Sequence, residues 1–516
     1  MHWADVVAEE LLKNASSHVL ATGITPSGPI HIGNMREILT TDAVYRSLID
    51  HNATAEFIYI ADDFDPLRKV YPYLPKSYEQ YVGMPISDIP CPCGEHKSYA
   101  DHYLSSFLQC LDDIGVTPKL HRANEMYRDG EYTEAIQIAL DNTDKIRKII
   151  ETVSGRTLPK QWLPFNIRCE QCQKFSLATP ILYDYPMIEY SCSCGYNGEV
   201  DIRQGGVGKL PWRIDWPARW KMLEVTFEPC GKDLATVGGA RDSGKHIVEE
   251  IYQYPHPTNL VYEFILLKGK GAMHSSKGTA LSAEELLHMT PPEVLRFLIM
   301  NNQPNKHIVF DSGLGMLNLV DEYDTWEQVY FGAEEKRKGM KDLKKTYELS
   351  QPTSIPKQQP YQIPYRHLVT IVQLGTTWEE IKPILLRTDQ LPSNLSDEEE
   401  KRLCQRAEHA RYWLDHFAPP QVKFHVQPTL PSVSLKQEQH RFLTTLYQTL
   451  SDISWTPDEI HNAVYHTAED EDISVKTAFT TLYQILLGQT HGPRAGYFLS
   501  NLDKNFVQQR ITEAIK

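Results

Sequence analysis

Two apolar runs, VLATG (residues 19–23) and AEFIYIA (residues 55–61), flank a segment in which Met35, Ile38, Leu39, Tyr45, Leu48 and Ile49 recur at spacings of three and four. The runs, rich in β-branched and aromatic residues, predict strands, and the spacing between them predicts one buried face of a helix. Strand, helix and strand in that order cannot close as a hairpin. The helix carries the chain back for parallel pairing, so the unit is βαβ and the fold class is α/β with a parallel sheet.

The corner between the first strand and the helix reads ITPSGPIHIGN (residues 24–34). Open α/β sheets bind ligands above the carboxyl ends of their strands. Free amides and the positive dipole end of the following helix favour phosphate there, by roughly 0.3 to 1 kcal/mol. Gly28 and Gly33 allow close backbone approach, Pro26 and Pro29 limit the entropy lost on ordering, and His31 can donate to phosphate oxygens. The corner, Pro26, Ser27, Gly28, Pro29, Ile30, His31, Ile32, Gly33 and Asn34, is therefore a candidate nucleotide site, with an ordinary turn as the alternative. A second stretch, GKGAMHSSKGTALS (residues 269–282), follows another strand signal, NLVYEFILLKG (residues 259–269), and supplies glycines, hydroxyls and a lysine before a helix start. It reads as a phosphate clamp formed by Met273, His274, Ser275, Ser276 and Lys277.

At 516 residues the chain exceeds the roughly 250 to 300 that one core supports, so several domains are expected. Clustered cysteines, prolines and aromatics over residues 85–206 interrupt the α/β rhythm as an insertion. Residues 1–84 and 207–300 are then the two halves of the parallel-sheet domain, and residues 301–351 a connecting region. The proline-rich PTSIPKQQPYQIP (residues 352–364) marks a boundary, beyond which helical patterns fill residues 352–516. Ser282 with Glu285, Thr290 with Glu293, Ser396 with Glu399 and Thr456 with Glu459 fit helix-start patterns. A net charge of −15 argues against a general nucleic-acid coat, and the basic run KRKGMKDLKK (residues 336–345) reads first as a solvated helix face. No apolar stretch reaches membrane-span length, and the first residues read as a surface helix rather than a secretion signal, so no membrane association and a cytoplasmic location are expected.

In that compartment the nine cysteines are metal ligands or core thiols. Cys169, Cys172, Cys192 and Cys194, as C-x2-C then C-x-C, approach a zinc ribbon of four thiolates; clustered core cysteines would not need that spacing. Cys91, Cys93, His96 and His102 offer a second tetrahedral set, with a polar surface loop as its alternative. Both metals would be structural.

The two loops resemble the paired signatures of class I aminoacyl-tRNA synthetases, HIGH in HIGN (residues 31–34) and KMSKS in MHSSK (residues 273–277). The resemblance narrows to the class I lysyl-tRNA synthetases of archaea and some bacteria and spans nearly the whole chain, through IADDFDPLRKV (residues 60–70), KLPWRIDWPARW (209–220), FEPCGKD (227–233) and GPRAGYFLSNLD (492–503). Asn34 replaces the last histidine of HIGH, His274 a serine of the second signature, and Leu234 a histidine expected to touch lysine. The resemblance implies a Rossmann-type catalytic domain with a zinc-bearing insertion, an all-α anticodon-binding domain, and ligation of L-lysine to tRNA(Lys) by a monomer using ATP, Mg2+ and structural Zn2+. His31, Asn34 and Lys277 would act on the phosphates. Gly23 and Thr25 match positions that hold lysine, with strand termination and a capping threonine as the alternatives, and Gly238, Gly239 and Asp242, in GGARDSGKH (residues 238–246), would line the adenosine side, a plain loop being the alternative. For the cationic side chain, Asp63 and Asp65 are candidate carboxylates and Trp212 and Trp216 candidate walls. An N-cap or surface salt bridge is the competing role for each aspartate, and core packing for the tryptophans. A glutamyl enzyme and a non-catalytic tRNA-binding paralogue are the alternative functions.

Overall fold

The computed structural model describes residues 1–269, 271–272 and 281–516. The expected clamp residues Met273, His274, Ser275, Ser276 and Lys277 lie outside the described residues. Helix α1 (Trp3–Leu12) precedes strand β1 (Ser17–Ile24), helix α2 (Ile32–Asp50) and strand β2 (Thr54–Ala61). β1 and β2 pair in parallel from Ser17 opposite Thr54 to Ile24 opposite Ala61, and β3 (Lys119–Arg122) adds in parallel to the far edge of β2. On the other side of β1, single parallel bridges join Leu20 to Phe227 and Phe227 to Thr258, and just beyond them Cys230–Gly231 pairs in parallel with Val261–Tyr262. The strand order therefore reverses direction at β1, and the crevice between the ends of β1 and Cys230–Gly231 is the switch point at which such sheets hold ligands.

The sheet is buried on the pattern its sequence dictates. Leu20, Ala21, Ile58 and Tyr59 lie within it, and Met35, Ile38 and Leu39 of α2 are fully buried against it. The strand expected over residues 259–269 is two pieces. Val261–Tyr262 belongs to the main sheet, whereas Ile265–Leu267 pairs with Ile308–Phe310 in a separate small sheet. The physical reason is a break at Glu263, whose N–H donates to the Pro304 carbonyl at 2.9 Å instead of continuing the ladder. The basic run also departs from expectation: its helix begins only at Leu343, and Lys345 pairs with Asp50 at 2.6 Å and Asp5 at 3.0 Å.

The chain divides into two compact units. One comprises Met1–Leu287, Pro292–Phe310 and Lys336–Ile355; the other comprises His288–Pro291, Asp311–Glu335 and Pro356–Lys516. The second is helical among its described residues, with Phe442, Leu446, Leu450, Val464, Leu482, Ile485, Phe498 and Val507 in its core. Its starts at Ser396 and Thr456 carry the expected caps. Inside this unit Arg406 pairs with Asp324 at 2.7 Å, and burial pushes that carboxyl up to about 6. Among the described residues no helix is long and apolar enough to cross a membrane.

Candidate active site

The corner is built from main-chain groups and two tyrosines. His31 caps α2: its Nδ1 accepts from the Gly33 N–H at 3.1 Å, and its own N–H donates to Asn34 Oδ1 at 3.3 Å. Because Nδ1 accepts, the proton of the neutral ring sits on Nε2, which leaves a donor on the opposite side of the ring. Gly33 is required for this packing, since a Cβ there would lie 2.8 Å from His31 Cε1. Gly28 has a different constraint: a Cβ would fall 2.2 Å from the Tyr73 hydroxyl. That hydroxyl donates to the Ser27 carbonyl at 3.0 Å, and the Tyr99 hydroxyl donates to the same carbonyl at 2.7 Å.

The described end of the second loop lies against this corner. Ser282 pairs with His31 as an antiparallel bridge, and the Ala283 N–H donates to the Ile30 carbonyl at 2.8 Å. The helix Ala283–Met289 starts there, with Ser282 and Glu285 exchanging the expected capping bonds at 3.0 and 3.1 Å. Beside Pro29 and Ile30 opens a cavity of about 650 Å³ walled by Tyr73, Tyr103, Phe107, Ser106 and Glu284.

At the other end of the crevice the expected lysine contacts separate. Asp63 is fully buried, and both of its oxygens are taken: Arg122 Nε donates at 2.7 Å and the Asn124 N–H at 2.7 Å. It fixes the turn after β3 through a buried salt bridge, not the surface one named as its alternative, and is not available to a substrate. Asp65 accepts from Thr25 Oγ1 at 3.3 Å and from Lys209 Nζ at 2.5 Å. Lys209 also lies 3.4 Å from Asp215, which Arg219 bridges at 2.7 Å while also reaching Asp62. The buried group thus sets three carboxylates, Asp62, Asp65 and Asp215, against two cations. Burial raises the Asp62 carboxyl; burial also works on Asp215, but Arg219 and Lys209 prevail and hold it below its ordinary value. Trp212 stacks on Trp216 at 5.3 Å with the Arg219 guanidinium 5.8 Å from its ring, so Thr25, Asp65 and Trp212 are brought together through this network.

Gly23 sits nearer the switch point, and its N–H donates to Glu37 Oε1 at 3.2 Å. Thr22 Oγ1 donates to the same oxygen, and the Tyr262 hydroxyl donates to Oε2 at 2.7 Å. Leu234 is partly buried nearby, its N–H on the Gly231 carbonyl at 3.0 Å. Gly238 and Gly239 open the helix Ala240–Glu250, where Asp242 Oδ2 accepts from the Gly238 N–H at 3.1 Å and Arg213 donates to the Gly239 carbonyl at 3.0 Å. Asp242 is thus spent on capping that turn. Sequence reasoning missed Glu37, Lys209, Arg219 and Tyr262. A signal existed for Glu37 alone, an acid three residues after Asn34 and so on the same helix face as the corner.

Both cysteine sets converge. The sulfurs Cys169–Cys194 and Cys172–Cys192 are each 3.7 Å apart. Four thiolates about 2.3 Å from a tetrahedral ion have edges of roughly that length, so the set fits zinc. The chain makes two tight knuckles to present them: Gln173 N–H returns to the Cys169 carbonyl at 2.8 Å, and Gly195 N–H to the Cys192 carbonyl at 2.9 Å. In the other set His96 Nδ1 and His102 Nδ1 are 3.4 Å apart, an edge suited to nitrogen ligands, and Cys91 and Cys93 are 3.1 Å apart. All four ligand atoms of each set lie within 4.8 Å of one another.

The chain matches the family described as tRNA synthetases class I (K) over residues 1–353 and that described as anticodon binding domain over residues 401–515. It is 45% identical to lysine–tRNA ligase 1 of Methanosarcina acetivorans over 100% of this chain and 98% of that protein. It is 41% identical to the lysine–tRNA ligase of Picrophilus torridus over 100% of this chain and 99% of that protein, and 42% identical to that of Archaeoglobus fulgidus over the full length of both. Likeness of this degree along the entire length, over a parallel sheet whose switch-point crevice carries the HIGN corner, means that the chain belongs to the class I lysyl-tRNA synthetase family.

Proposed function

We propose that the chain is a lysine–tRNA ligase: the carboxylate of L-lysine attacks the α-phosphorus of ATP and pyrophosphate leaves, then a hydroxyl of the terminal ribose of tRNA(Lys) attacks the lysyl carbonyl of the adenylate and AMP leaves. The observation that carries this reading is the meeting of two segments some 250 residues apart, where Ala283 binds the Ile30 carbonyl at 2.8 Å and Ser282 pairs with His31. Corner and clamp then address one triphosphate. His31 offers its Nε2 proton to a phosphate oxygen, the amides of the first turn of α2 offer theirs, and Lys277 from the clamp completes the set. Such preorganised donors act where negative charge accumulates in the transition state. Mg2+ arrives with ATP and neutralises phosphate charge.

Pro26 to Asn34 take the phosphates, with Met273 to Lys277 closing on them and Gly238, Gly239 and Asp242 bordering the adenosine. Gly23, Thr25, Asp65 and Trp212 border the amino acid. The aromatic-walled cavity beside Ile30 has the size and character to admit the tRNA end, and the helical unit reads the anticodon stem. Zn2+ on Cys169, Cys172, Cys192 and Cys194, and on Cys91, Cys93, His96 and His102, would serve as cross-links that order the insertion.

The test is charging: total tRNA, ATP and each amino acid in turn. Lysine alone should be esterified. Esterification of glutamate, or tRNA binding without any esterification, overturns the reading.

A further inference from the structure

The two cysteine-bearing sets rest on different footings. In the four-cysteine set, Cys192 ends the strand Met187–Cys192 and pairs with Ala178 in its ladder, and Cys169 is fully buried. Its sulfurs Cys169–Cys194 and Cys172–Cys192 are 3.7 Å apart, matching the roughly 3.7 Å between two thiolates that share a zinc ion. Cys91 and Cys93 stand closer, at 3.1 Å. The first is buried and the second exposed, and both lie in a loop, residues 91–97, that belongs to no helix or strand. Among the described residues a single main-chain bond closes that loop on itself, from the Gly94 N–H to the Cys91 carbonyl at 3.3 Å. His96 and His102 of the same set line the cavity beside Ile30, so a small solute in the cavity meets the set directly.

We infer that Cys91 and Cys93 are an oxidant-sensitive pair that hydrogen peroxide converts to a disulfide, while the four-cysteine set is spared. The exposed Cys93 thiolate attacks one peroxide oxygen: the S–O bond forms, the O–O bond breaks, and the hydroxide that leaves takes a proton from solvent. The Cys91 thiolate then attacks the Cys93 sulfur. The S–S bond forms, the S–O bond breaks, and a second hydroxide leaves and is protonated. The two sulfurs have given up two electrons, and the peroxide has become two waters. Closing 3.1 Å to the roughly 2 Å of an S–S bond takes about 1 Å of movement, which a loop with one internal bond gives and a laddered strand does not. With both thiolates consumed, His96 and His102 alone would be left to hold zinc, half of a tetrahedral set. The effect reaches the corner through the helix that follows: Ser98 caps the helix Tyr99–Asp113, and the Tyr99 hydroxyl holds the Ser27 carbonyl at 2.7 Å. On the ligase reading above, oxidation therefore weakens ATP binding.

The experiment treats the zinc-loaded full chain with stoichiometric hydrogen peroxide, alkylates it with iodoacetamide, and reads the cysteine peptides by mass and the zinc released into a chromogenic chelator. Cys91 and Cys93 should appear in one peptide that is unalkylated and a pair of hydrogens lighter. Zinc equivalent to one set should be released, with Cys169, Cys172, Cys192 and Cys194 keeping theirs, and dithiothreitol with added zinc should reverse both changes. In Cys91→Ser, which lacks the partner sulfur, dimedone should trap a sulfenic acid on Cys93. Alkylation of both Cys91 and Cys93 after treatment, oxidation of the four-cysteine set first, or no dimedone adduct would each overturn the inference. ATP KM of the treated chain should rise several-fold and return on reduction; a disulfide with ATP KM unchanged overturns the link to the corner. Only that last readout depends on the ligase reading, so an untreated chain that charges no lysine fails that reading and leaves the disulfide test intact.

Discussion

The two ends of the crevice are held by opposite means. At the corner, neutral groups position one another: two tyrosine hydroxyls on the Ser27 carbonyl, a histidine capping its own helix, and an amide of the distant loop on the Ile30 carbonyl. At the end proposed for the amino acid, Asp62, Asp65, Asp215, Lys209 and Arg219 are fixed by charge in a buried to half-buried network. Triphosphate must enter and leave, and oriented main-chain dipoles greet it without losing any partner of their own. A pocket that must tell a cation from other side chains needs carboxylates, and carboxylates kept out of water need internal cations to hold them. The corner can therefore lose a side chain and keep the fold, whereas the charged end cannot.

Lys209→Met tests the second half of that statement and has the largest expected effect. It leaves buried Asp62 and Asp215 with Arg219 alone and strips half-buried Asp65 of its nearest cation, and breaking a buried pair from one side costs about 3 to 5 kcal/mol. The measurement is denaturant unfolding; a change no larger than a surface substitution produces would erase the contrast. His31→Ala follows in size but on another axis. Turnover should fall by about two orders of magnitude or more, the loss of one preorganised donor being worth roughly 3 kcal/mol. The melting temperature should move only as a lost helix cap moves it, about 1 kcal/mol. Unchanged turnover would remove His31 from the chemistry.

How much of this was legible in the chain depends on the distance over which each constraint acts. β1, α2 and β2 were readable because apolar period alone decides them, and the HIGN cap because its partners are within three residues. Gly28 could be read as a site of close approach, but what approaches is Tyr73, brought in by tertiary packing. Asp63 and Asp65 are two residues apart and indistinguishable by type; only Arg122 and Lys209, far along the chain, assign them different roles. The residues 259–269 were read as one strand because each apolar piece is strand-like, and the break at Glu263 is set by Pro304. Both cysteine sets were legible from spacing, since knuckle geometry is local.

The insertion supplies a middle case, because its two candidate metal sites differ in what they touch. The second site includes His102, three residues after Tyr99 on one helix (Tyr99–Asp113), so a metal held there would order the turn from which Tyr99 reaches Ser27. The four-cysteine site is backed by the strands Ala178–Asp184, Met187–Cys192 and Asn197–Asp201. Cys91→Ser should therefore raise the ATP KM several-fold, whereas Cys172→Ser should lower insertion stability with ATP KM unchanged. Equal effects on ATP KM would dissolve the distinction. Tyr99→Phe alone removes one of two donors on the Ser27 carbonyl; the lost bond should lower stability by about 1 kcal/mol, and ATP KM should rise by no more than roughly fivefold.

pH also separates the two ends of the crevice. Burial, opposed by the indole N–H groups of Trp220 and Trp216, pushes Glu228 up to about 7. Between the ordinary carboxylate value and that point the folded chain keeps a proton that the unfolded chain has released. The stability this group contributes is thus complete below the ordinary value and is lost as pH rises to about 7. Glu228→Gln keeps an acceptor for both indoles but has no proton to release. Its melting temperature relative to the parent should climb between about pH 5 and about pH 8 and then level off. The same scan on His31→Ala reports the corner. If the parent-minus-variant difference for Glu228→Gln is flat across that range, burial against the two indoles does not hold the Glu228 carboxyl in its protonated form.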